Sequence, residues 1–511
     1  MRFVLRKGVK RMSENHQNSE NTEQEQVKKR SCTRFMFGRR IIYSTKPTIT
    51  AENVCEVVEQ AYLTHLINRD EIEYLWKYYK GDQPAIYRIR EIRPELVKHV
   101  VENRANEIVS FKTGYLVGKP IKYVSTVSGD NVSAVIGKLN DTMRVIGKHT
   151  KDKALIEWTQ ICGVGYRYVV QNNDKFINSP FNLFTLDPRN TFVIRANDYT
   201  QRVIAGVNYV TDDNQQITFT VFTEDSCYTF IKGSGKAKKT VNAFGLIPII
   251  EYQANMERQG CFEIVLPLLD AINDFDSDRL EAVEQFVQSL LVLYNCQVEE
   301  GTTADSIRKA GMILLKSVGE NKADVKNLSE QLDQSQNQAL KDDLYNAVLE
   351  IVGMPGQSNG NTGDSSNNGA VILKNGWQGA ETRAKDLEAE FKQPEMEMMW
   401  LLSIIAGKTL EEKGGFKLDP ADVDIKFSRH NYENLLSKSQ TLTTMLGNDK
   451  IDPKYAYEAS GLFMDTEEAY RAGMKWYEKM LGLAKTIEEV KKERDAAKVS
   501  TEEAKVNTDA K

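Results

Sequence analysis

Residues 262–287 read FEIVLPLLDAINDFDSDRLEAVEQFV. Val265, Leu269, Ile272, Leu280, Val283 and Val287 fall at the three- and four-residue steps of one apolar helix face. At 1.5 Å per residue the predicted helix is about 40 Å long. A second such pattern over 337–352 puts Leu340, Leu344, Val348 and Ile351 on one stripe. Between the two lies a compact α/β insert: apolar 290–293, a helical turn near 304–309, apolar 312–315 and apolar 325–328. The expected class is α+β, predominantly helical.

Downstream, 354–369 reads MPGQSNGNTGDSSNNG, with Asp364 as its one charge and no large apolar group after Met354. Such a stretch has nothing to fold onto a core and reads as a flexible loop. Ala370 then opens a long helical pattern through about Ala406, with Lys385–Glu388–Lys392 charge pairs and expected bends at Gly376, Gly379 and Pro394. A short alternating strand (Val423, Ile425, Phe427) leads to a C-terminal helical cluster. There Asp452-Pro453 and Asp465-Thr-Glu-Glu468 are capping signals. Residues 487–511 are charged and poor in apolar anchors, a solvated helix or tail.

Upstream, 1–48 is polar and reads as a mobile arm with Met12 as an alternative start. Thr50 or Asn53 is expected to cap a helix through Leu66, and Asp70 a second one carrying Ile72, Leu75, Trp76 and Tyr79 and ended by Gly81. Pro94 suits the first turn of a helix over 95–111, with Leu96, Val100, Ala105 and Ile108 inward. Short strands at 121–127 precede helices over 131–146 and 152–162. From Gly165 to about Tyr252 the period drops to two, predicting an antiparallel sheet of hairpins.

The chain has 511 residues, enough for three or four domains. Lys plus Arg total 67 against 72 Asp plus Glu, a formal net charge of −5 that does not suggest tight polyanion capture. The longest apolar run, 398–406, falls far short of the roughly 20 residues that span a bilayer, and the basic first residues lack an apolar signal core. Neither a membrane-spanning nor an exported chain is expected. The six cysteines stand singly, which points to free thiols in a reducing compartment, and no two of the five histidines have metal-ligand spacing.

Phosphate and metal motifs fail on inspection. Gly114-Tyr-Leu-Val-Gly118-Lys119-Pro120 has three residues between its glycines where a P-loop has four, and proline where the Mg²⁺-binding hydroxyl belongs. Gly233-Ser-Gly-Lys236 lies between two strands and reads as a hairpin turn. Asp274, Asp276 and Asp278 imitate the start of a calcium loop, but Arg279 replaces its glycine and Gln285 its final glutamate. They read as an acidic helix face. No catalytic residue, metal or cofactor is expected, so the chain reads as non-enzymatic.

Several blocks in order resemble the portal proteins of long-tailed bacteriophages. Tyr78-Tyr79-Lys80-Gly81 is similar to an early YYxG. Asn103-Arg-Ala-Asn-Glu-Ile108-Val109 leading into Gly114–Pro120 resembles an Asn-rich helix followed by GYLxGxP. Ile247-Pro248-Ile249-Ile250-Glu251, Glu257-Arg-Gln-Gly260-Cys-Phe262-Glu263 and Leu268-Leu269-Asp270-Ala271-Ile272-Asn273, with Ser277-Asp278, resemble the approach to the first stem helix and that helix itself. Asn367-Asn368-Gly369-Ala370-Val-Ile-Leu373-Lys374 approximates NSGxALK, with Asn368 in place of serine. The set covers about residues 70–480.

The resemblance implies a portal fold with wing, stem, clip and crown, forming a ring, usually of twelve subunits, at one capsid vertex. On that frame 1–48 is the arm, 49–260 and 370–414 the wing, and 261–289 and 335–353 the stem. Residues 290–334 are the clip, 354–369 the tunnel loop, 415–486 the crown and 487–511 the tail. It implies a late virion component, assembled in the host cytoplasm, through which double-stranded DNA is packaged and ejected. The implied partners are the terminase large subunit, the head–tail adaptor, and scaffolding and major capsid proteins. Asn359, Asn361, Asn367 and Asn368 are the candidate channel residues, although a loop on the outer surface is the plain alternative. Lys341 and Lys374 are read either as phosphate contacts or as part of a solvated face. Glu299, Glu300, Arg308 and Lys309 are candidate partner contacts in the clip. Twelve helices about 10 Å apart give a bore of roughly 28 Å, wide enough for a duplex. A DNA-packaging enzyme subunit and a capsid-associated protein without a pore are the competing readings.

Overall fold

The computed structural model describes residues 38–89, 97–127, 130–172, 178–287, 290–294, 296–297, 316–317, 324–328, 334–356, 377–409, 414–429, 435–463 and 465–482. The period-two region folds as predicted, but into two sheets. Strands β3 (Val164–Gln171), β4 (Phe181–Leu186) and β10 (Ile249–Gln253) form one, in the order β10-β3-β4. The other runs β1-β5-β6-β7-β8-β9, built from β1 (Tyr43–Ser44), β5 (Thr191–Ala196), β6 (Val203–Thr211), β7 (Ile217–Phe222), β8 (Ser226–Ile231) and β9 (Lys238–Val241). All its pairings are antiparallel except that β1 adds parallel to β5. Gly233 and Gly235 make the predicted β8–β9 hairpin turn.

Helix α1 (Val54–Lys80) is a single rod where two were expected. No glycine or proline interrupts it, and Val54, Val57, Val58, Ala61, Tyr62, His65, Ile72, Leu75 and Tyr79 keep one buried face over its whole length. Asp70 lies inside it and caps nothing. Gly81 ends it in the left-handed region at φ 98°, where a side chain would be strained. Its first half covers the six-stranded sheet, through Tyr62, Phe192, Tyr209 and Phe219.

Helix α2 (Arg104–Val117) starts nine residues later than the sequence suggested. Asn103 is the N-cap, accepting the Asn106 N–H, and 97–103 is non-helical; Pro94 lies outside the described residues. Helices α3 (Asp130–Val145) and α4 (Lys148–Cys162) follow the expected pattern. Strands β2 (Lys122–Ser125) and β15 (Val423–Lys426) pair with each other across 300 residues of chain. With α3, α4 and the three-stranded sheet they wrap α7 (Trp377–Lys408), whose Met398, Met399, Leu402 and Ile405 are fully enclosed. Pro394 sits within α7 without ending it. Glu388 on that helix pairs with Arg429 at 2.5 Å, and Lys392 also acts on its carboxyl.

Two long helices bracket the insert. Helix α5 (Leu266–Val287) follows a 3₁₀ turn at Glu263–Val265, so the helix proper begins four residues after Phe262. Helix α6 (Gln334–Val352) packs against it. Between them β11 (Leu290–Tyr294) pairs antiparallel with β14 (Asp324–Leu328), and β12 (Cys296–Gln297) with β13 (Lys316–Ser317). The turn predicted near 304–309 lies outside the described residues. Helices α8 (Leu435–Leu446), α9 (Pro453–Ser460) and α10 (466–482) follow near the C-terminus. Asp452 caps α9 and Asp465 accepts the Glu468 N–H, as their sequences suggested.

The apolar stripes of α5 and α6 are only half covered. Val265, Leu269 and Ile272 are buried, as are Val348, Leu349 and Val352. Leu280 and Val283, on the same predicted helix pattern, are 48% and 42% exposed, and Leu340 and Ile351 are 50% and 40% exposed. In their place the single chain buries Asn273, Ser277 and Glu281.

Candidate functional site at the root of the paired helices

Some of the residues that carried the sequence resemblance, Tyr78, Tyr79, Asn103, Asp270 and Asn273, meet at the start of α5. Tyr78 and Tyr79 end α1 side by side. The Tyr78 hydroxyl donates to Asp270 on α5 at 2.8 Å, and Tyr79 donates to Glu157 on α4 at 2.8 Å. The left-handed turn at Gly81 brings Gln83 back beneath them. Gln83 Nε2 donates to the Tyr78 carbonyl and to Asn103 Oδ1, both at 3.0 Å. Asn103 Nδ2 in turn donates to the Tyr79 carbonyl at 2.9 Å, and Asn273 Nδ2 donates to Gln83 Oε1 at 2.6 Å. Three segments distant in sequence are thus tied by amide side chains, each using donor and acceptor at once.

Residues 97–103 run along α5 as a strap. The Glu102 N–H donates to Asn273 Oδ1 at 2.8 Å, Val100 N–H to Ser277 Oγ at 3.1 Å, and Lys98 N–H to Glu281 Oε1 at 3.1 Å. The register has a physical cause. Four residues of helix advance about 6 Å, and two residues of extended chain advance about 6.6 Å. Side chains at every fourth helical position therefore match every second backbone N–H. This explains why polar Asn273, Ser277 and Glu281 are buried on α5.

The acidic face of α5 is consumed by cations of the same chain. Asp278 pairs with Arg88, and Asp276 takes the Lys341 ammonium of α6 at 2.9 Å. Burial raises the Asp274 carboxyl, Arg88 pulls it down, and Asp278 pushes it up again. Lys341 also reaches Glu102 at 3.1 Å. Arg104 pairs with Glu102 at 2.9 Å and Glu107 at 2.7 Å, and stacks over Tyr345 at 4.0 Å. Tyr345 donates to Glu107 at 2.9 Å. Strap, α2, α5 and α6 are joined in one ionic network. Among the described residues no cluster of His, Cys, Asp or Glu is arranged to hold a metal ion.

Lys341 is thus placed between two carboxylates, and a phosphate there would compete with both. Asn359, Asn361, Asn367, Asn368 and Lys374, and Glu299, Glu300, Arg308 and Lys309, lie outside the described residues. Gly114 and Gly118 sit at the end of α2 beside Tyr115 and Trp377. Cys55, Cys162, Cys227 and Cys261 are free thiols. No described helix is long and apolar enough to cross a membrane. Gln83 and Glu281 had no sequence signal of their own. Asn273, Ser277 and Glu281 share a four-residue spacing that marks a common face.

The body that anchors this root is stiffened by a second buried cluster. Lys148 Nζ lies 2.7 Å from both Asp152 and Glu395, and Arg167 bonds Asp152 and, at 3.2 Å, Glu395. Tyr123 and Tyr252 donate to the two oxygens of Glu395 at 2.6 and 2.7 Å. Burial alone would raise the Glu395 carboxyl, but Lys148 and Arg167 pull it down to about 2. Two cations and two carboxylates leave this fully enclosed site neutral.

Two solved structures are similar to part of this chain. One is described as the neck of an empty GTA particle computed with C6 symmetry, at 13% identity and TM-score 0.41, over 70% of this chain and 90% of that one. The other is the neck of a native GTA particle computed with C12 symmetry, at 13% identity and TM-score 0.42, over 70% and 89%. Comparison with curated proteins finds no match. Residues 62–499 match the family described as phage portal protein, SPP1 Gp6-like, and the chain belongs to that family.

Proposed function

We propose that this chain is the subunit of a homo-oligomeric ring, of twelve copies, at one capsid vertex, and that double-stranded DNA passes through its centre during packaging and ejection. Family membership over 62–499 supports the reading. The observation that carries it to a ring is the half-covered pair of helices: Leu280, Val283, Leu340 and Ile351 stay exposed on rods whose roots are rigidly held. Apolar side chains grouped on projecting helices are what a neighbouring copy would bury. In this ring α5 and α6 form the stem, 290–334 the clip, 354–369 the tunnel loop and 415–486 the crown.

The family is structural rather than catalytic, and the chemistry of the reading follows that. A chain carrying −5 makes an acidic ring, so counterion release does not hold DNA tightly. Short neutral side chains at Asn359, Asn361, Asn367 and Asn368 would contact a moving duplex weakly. Lys374 is a candidate phosphate contact in this reading, whereas Lys341 would have to exchange Asp276 and Glu102 for phosphate. The clip, with Glu299, Glu300, Arg308 and Lys309, would meet the terminase large subunit and later the head–tail adaptor. Scaffolding and major capsid proteins would surround the wing.

The test is the mass of the purified full-length chain together with negative-stain images. Rings with a central hole and a mass of about twelve chains are expected. A lone subunit that persists on concentration and on co-assembly with shell proteins would overturn the proposal. Deleting 358–367 is expected to change packaged genome length, and an unchanged length would remove the loop from the channel.

A further inference from the structure

A cleft of about 590 Å³ lies between α2, the end of α4, the 254–264 loop that leads into α5, the end of α6 and α7. Three side chains on its wall lack the partners their chemistry calls for. Lys112 of α2 is part-buried there, and among the described residues its ammonium donates no hydrogen bond and joins no ion pair. Gln160 of α4 is 1% exposed. Its backbone carbonyl accepts the Cys261 N–H at 2.8 Å, but its side-chain amide has no hydrogen-bond partner among the described residues. Arg383 of α7 is exposed on the same wall and donates to the Ile351 carbonyl at 3.4 Å, with no carboxylate partner among the described residues.

Elsewhere the chain meets its enclosed cations with carboxylates. Lys148 and Arg167 face Asp152 and Glu395, and Lys341 faces Asp276 and Glu102. The carboxylates of the cleft do not serve in this way. Glu390 accepts from Gln253 at 3.0 Å, and neither Glu257 nor Asp386 pairs with Lys112 or Arg383. Burial pushes the Lys112 ammonium below the ordinary lysine value; the Cys261 thiol opposes that fall and Arg383 deepens it. A part-buried cation beside a second one, with a buried amide unspent, is a donor set that calls for an oxyanion.

We propose that this cleft binds one oxyanion, a phosphate either free or as a monoester, held by Lys112, Arg383 and the Gln160 amide. The bound anion would link α2 and α4 to α7 beside the end of α6 and the loop into α5. It would thereby tie the roots of both long helices to the body. Gln160 lies too deep for the backbone of an intact duplex to reach it, so the ligand is a small phosphate and not the DNA of the ring reading.

Titration calorimetry of the full-length protein with inorganic phosphate, at constant ionic strength set with sodium chloride, is expected to show one saturable site per chain. Lys112→Met and Arg383→Met are each expected to weaken it at least about tenfold, the loss of one charge-assisted hydrogen bond. Should Lys112→Met fail to fold, Arg383→Met decides, because its side chain is exposed and its removal leaves the core intact. Acylation by acetic anhydride, read by peptide mass spectrometry, is the second measurement. Phosphate should slow it severalfold at Lys112, whose ammonium a bound anion keeps protonated, and leave exposed Lys385 unchanged. A nucleoside monophosphate that displaces inorganic phosphate would assign the monoester as the ligand, and one that does not would assign the free ion. No saturable binding in the parent, or binding unchanged in Arg383→Met, would overturn the site. The site rests on contacts within one chain, so its failure would leave the ring proposal untouched.

Discussion

Asn273 Oδ1 accepts the backbone N–H of Glu102 at 2.8 Å across 171 residues of chain. That bond, continued by Ser277 and Glu281, holds a length of extended chain against α5 and fixes the direction in which the helix leaves the body. Asn273→Ala would orphan the part-buried Glu102 N–H and the buried side-chain Oε1 of Gln83. A loss of about 2–4 kcal/mol is expected in urea unfolding. Ser277→Ala, which removes the acceptor of the Val100 N–H and the bond donated to the Asn273 backbone carbonyl, is expected to cost about 1–3 kcal/mol by the same measurement.

The neutral four-charge cluster under α7 makes a sharper prediction. Glu395→Leu would leave Lys148 and Arg167 enclosed with Asp152 alone, at an expected cost of about 3–5 kcal/mol. Glu395 is held at about 2 when folded, below its ordinary 4.5. Its contribution is therefore complete above about 4.5 and lost as pH falls toward 2. Acid titration followed by near-ultraviolet circular dichroism should show the parent losing structure over that interval. The stability of any folded Glu395→Leu variant should vary less there.

His65 predicts acid sensitivity in a milder range. Its ring lies 4.5 Å from Phe192, stacked and 1% exposed, and its Nε2–H donates to the Arg189 carbonyl at 3.0 Å. Burial pushes it down from 6.5 to about 4, so the folded protein keeps it neutral while the unfolded chain protonates it. Stability is complete above about 6.5 and falls by up to about 1.4 kcal/mol per unit as pH drops toward 4. His65→Phe should flatten urea midpoints between pH 6.5 and 4. Tyr209, whose hydroxyl donates to the same carbonyl at 2.7 Å, still satisfies it.

Leu280 and Val283 separate folding from assembly. Each is exposed in the single chain, so Leu280→Glu with Val283→Glu should leave its unfolding within about 0.5 kcal/mol per site of the parent. The same pair should reduce the ring to smaller species in native mass measurement. Normal rings from the double variant would show that this face of α5 is not a subunit contact.

Much of the fold was legible because regular elements write their period into the chain. The hairpins of 164–253 and the helices α3 and α4 appeared where alternation or a helical stripe predicted them, and the caps at Asp452 and Asp465 are local bonds between near neighbours. Where the reading missed, a distant partner had replaced a local rule. Residues 97–103 could have continued a helix from Pro94, yet their N–H groups are taken by α5. Asp70 could have capped a new helix, but α1 runs on because one buried face continues beneath it.

For the site, the motif residues Tyr78, Tyr79, Asn103 and Asn273 could be found as a set, but not what they do. A polar residue on a helix looks the same in sequence whether water or a buried amide answers it. The amino-acid order alone determined that two long rods flank a short insert and that no phosphate loop or metal motif is present. Only tertiary structure decided which face of each rod is covered, that Lys341 is claimed by Asp276 and Glu102, and that Arg39 serves two carboxylates. The reason is that periodicity reports a face, while the partner of that face, and the charge balance it creates, depend on contacts between residues hundreds of positions apart.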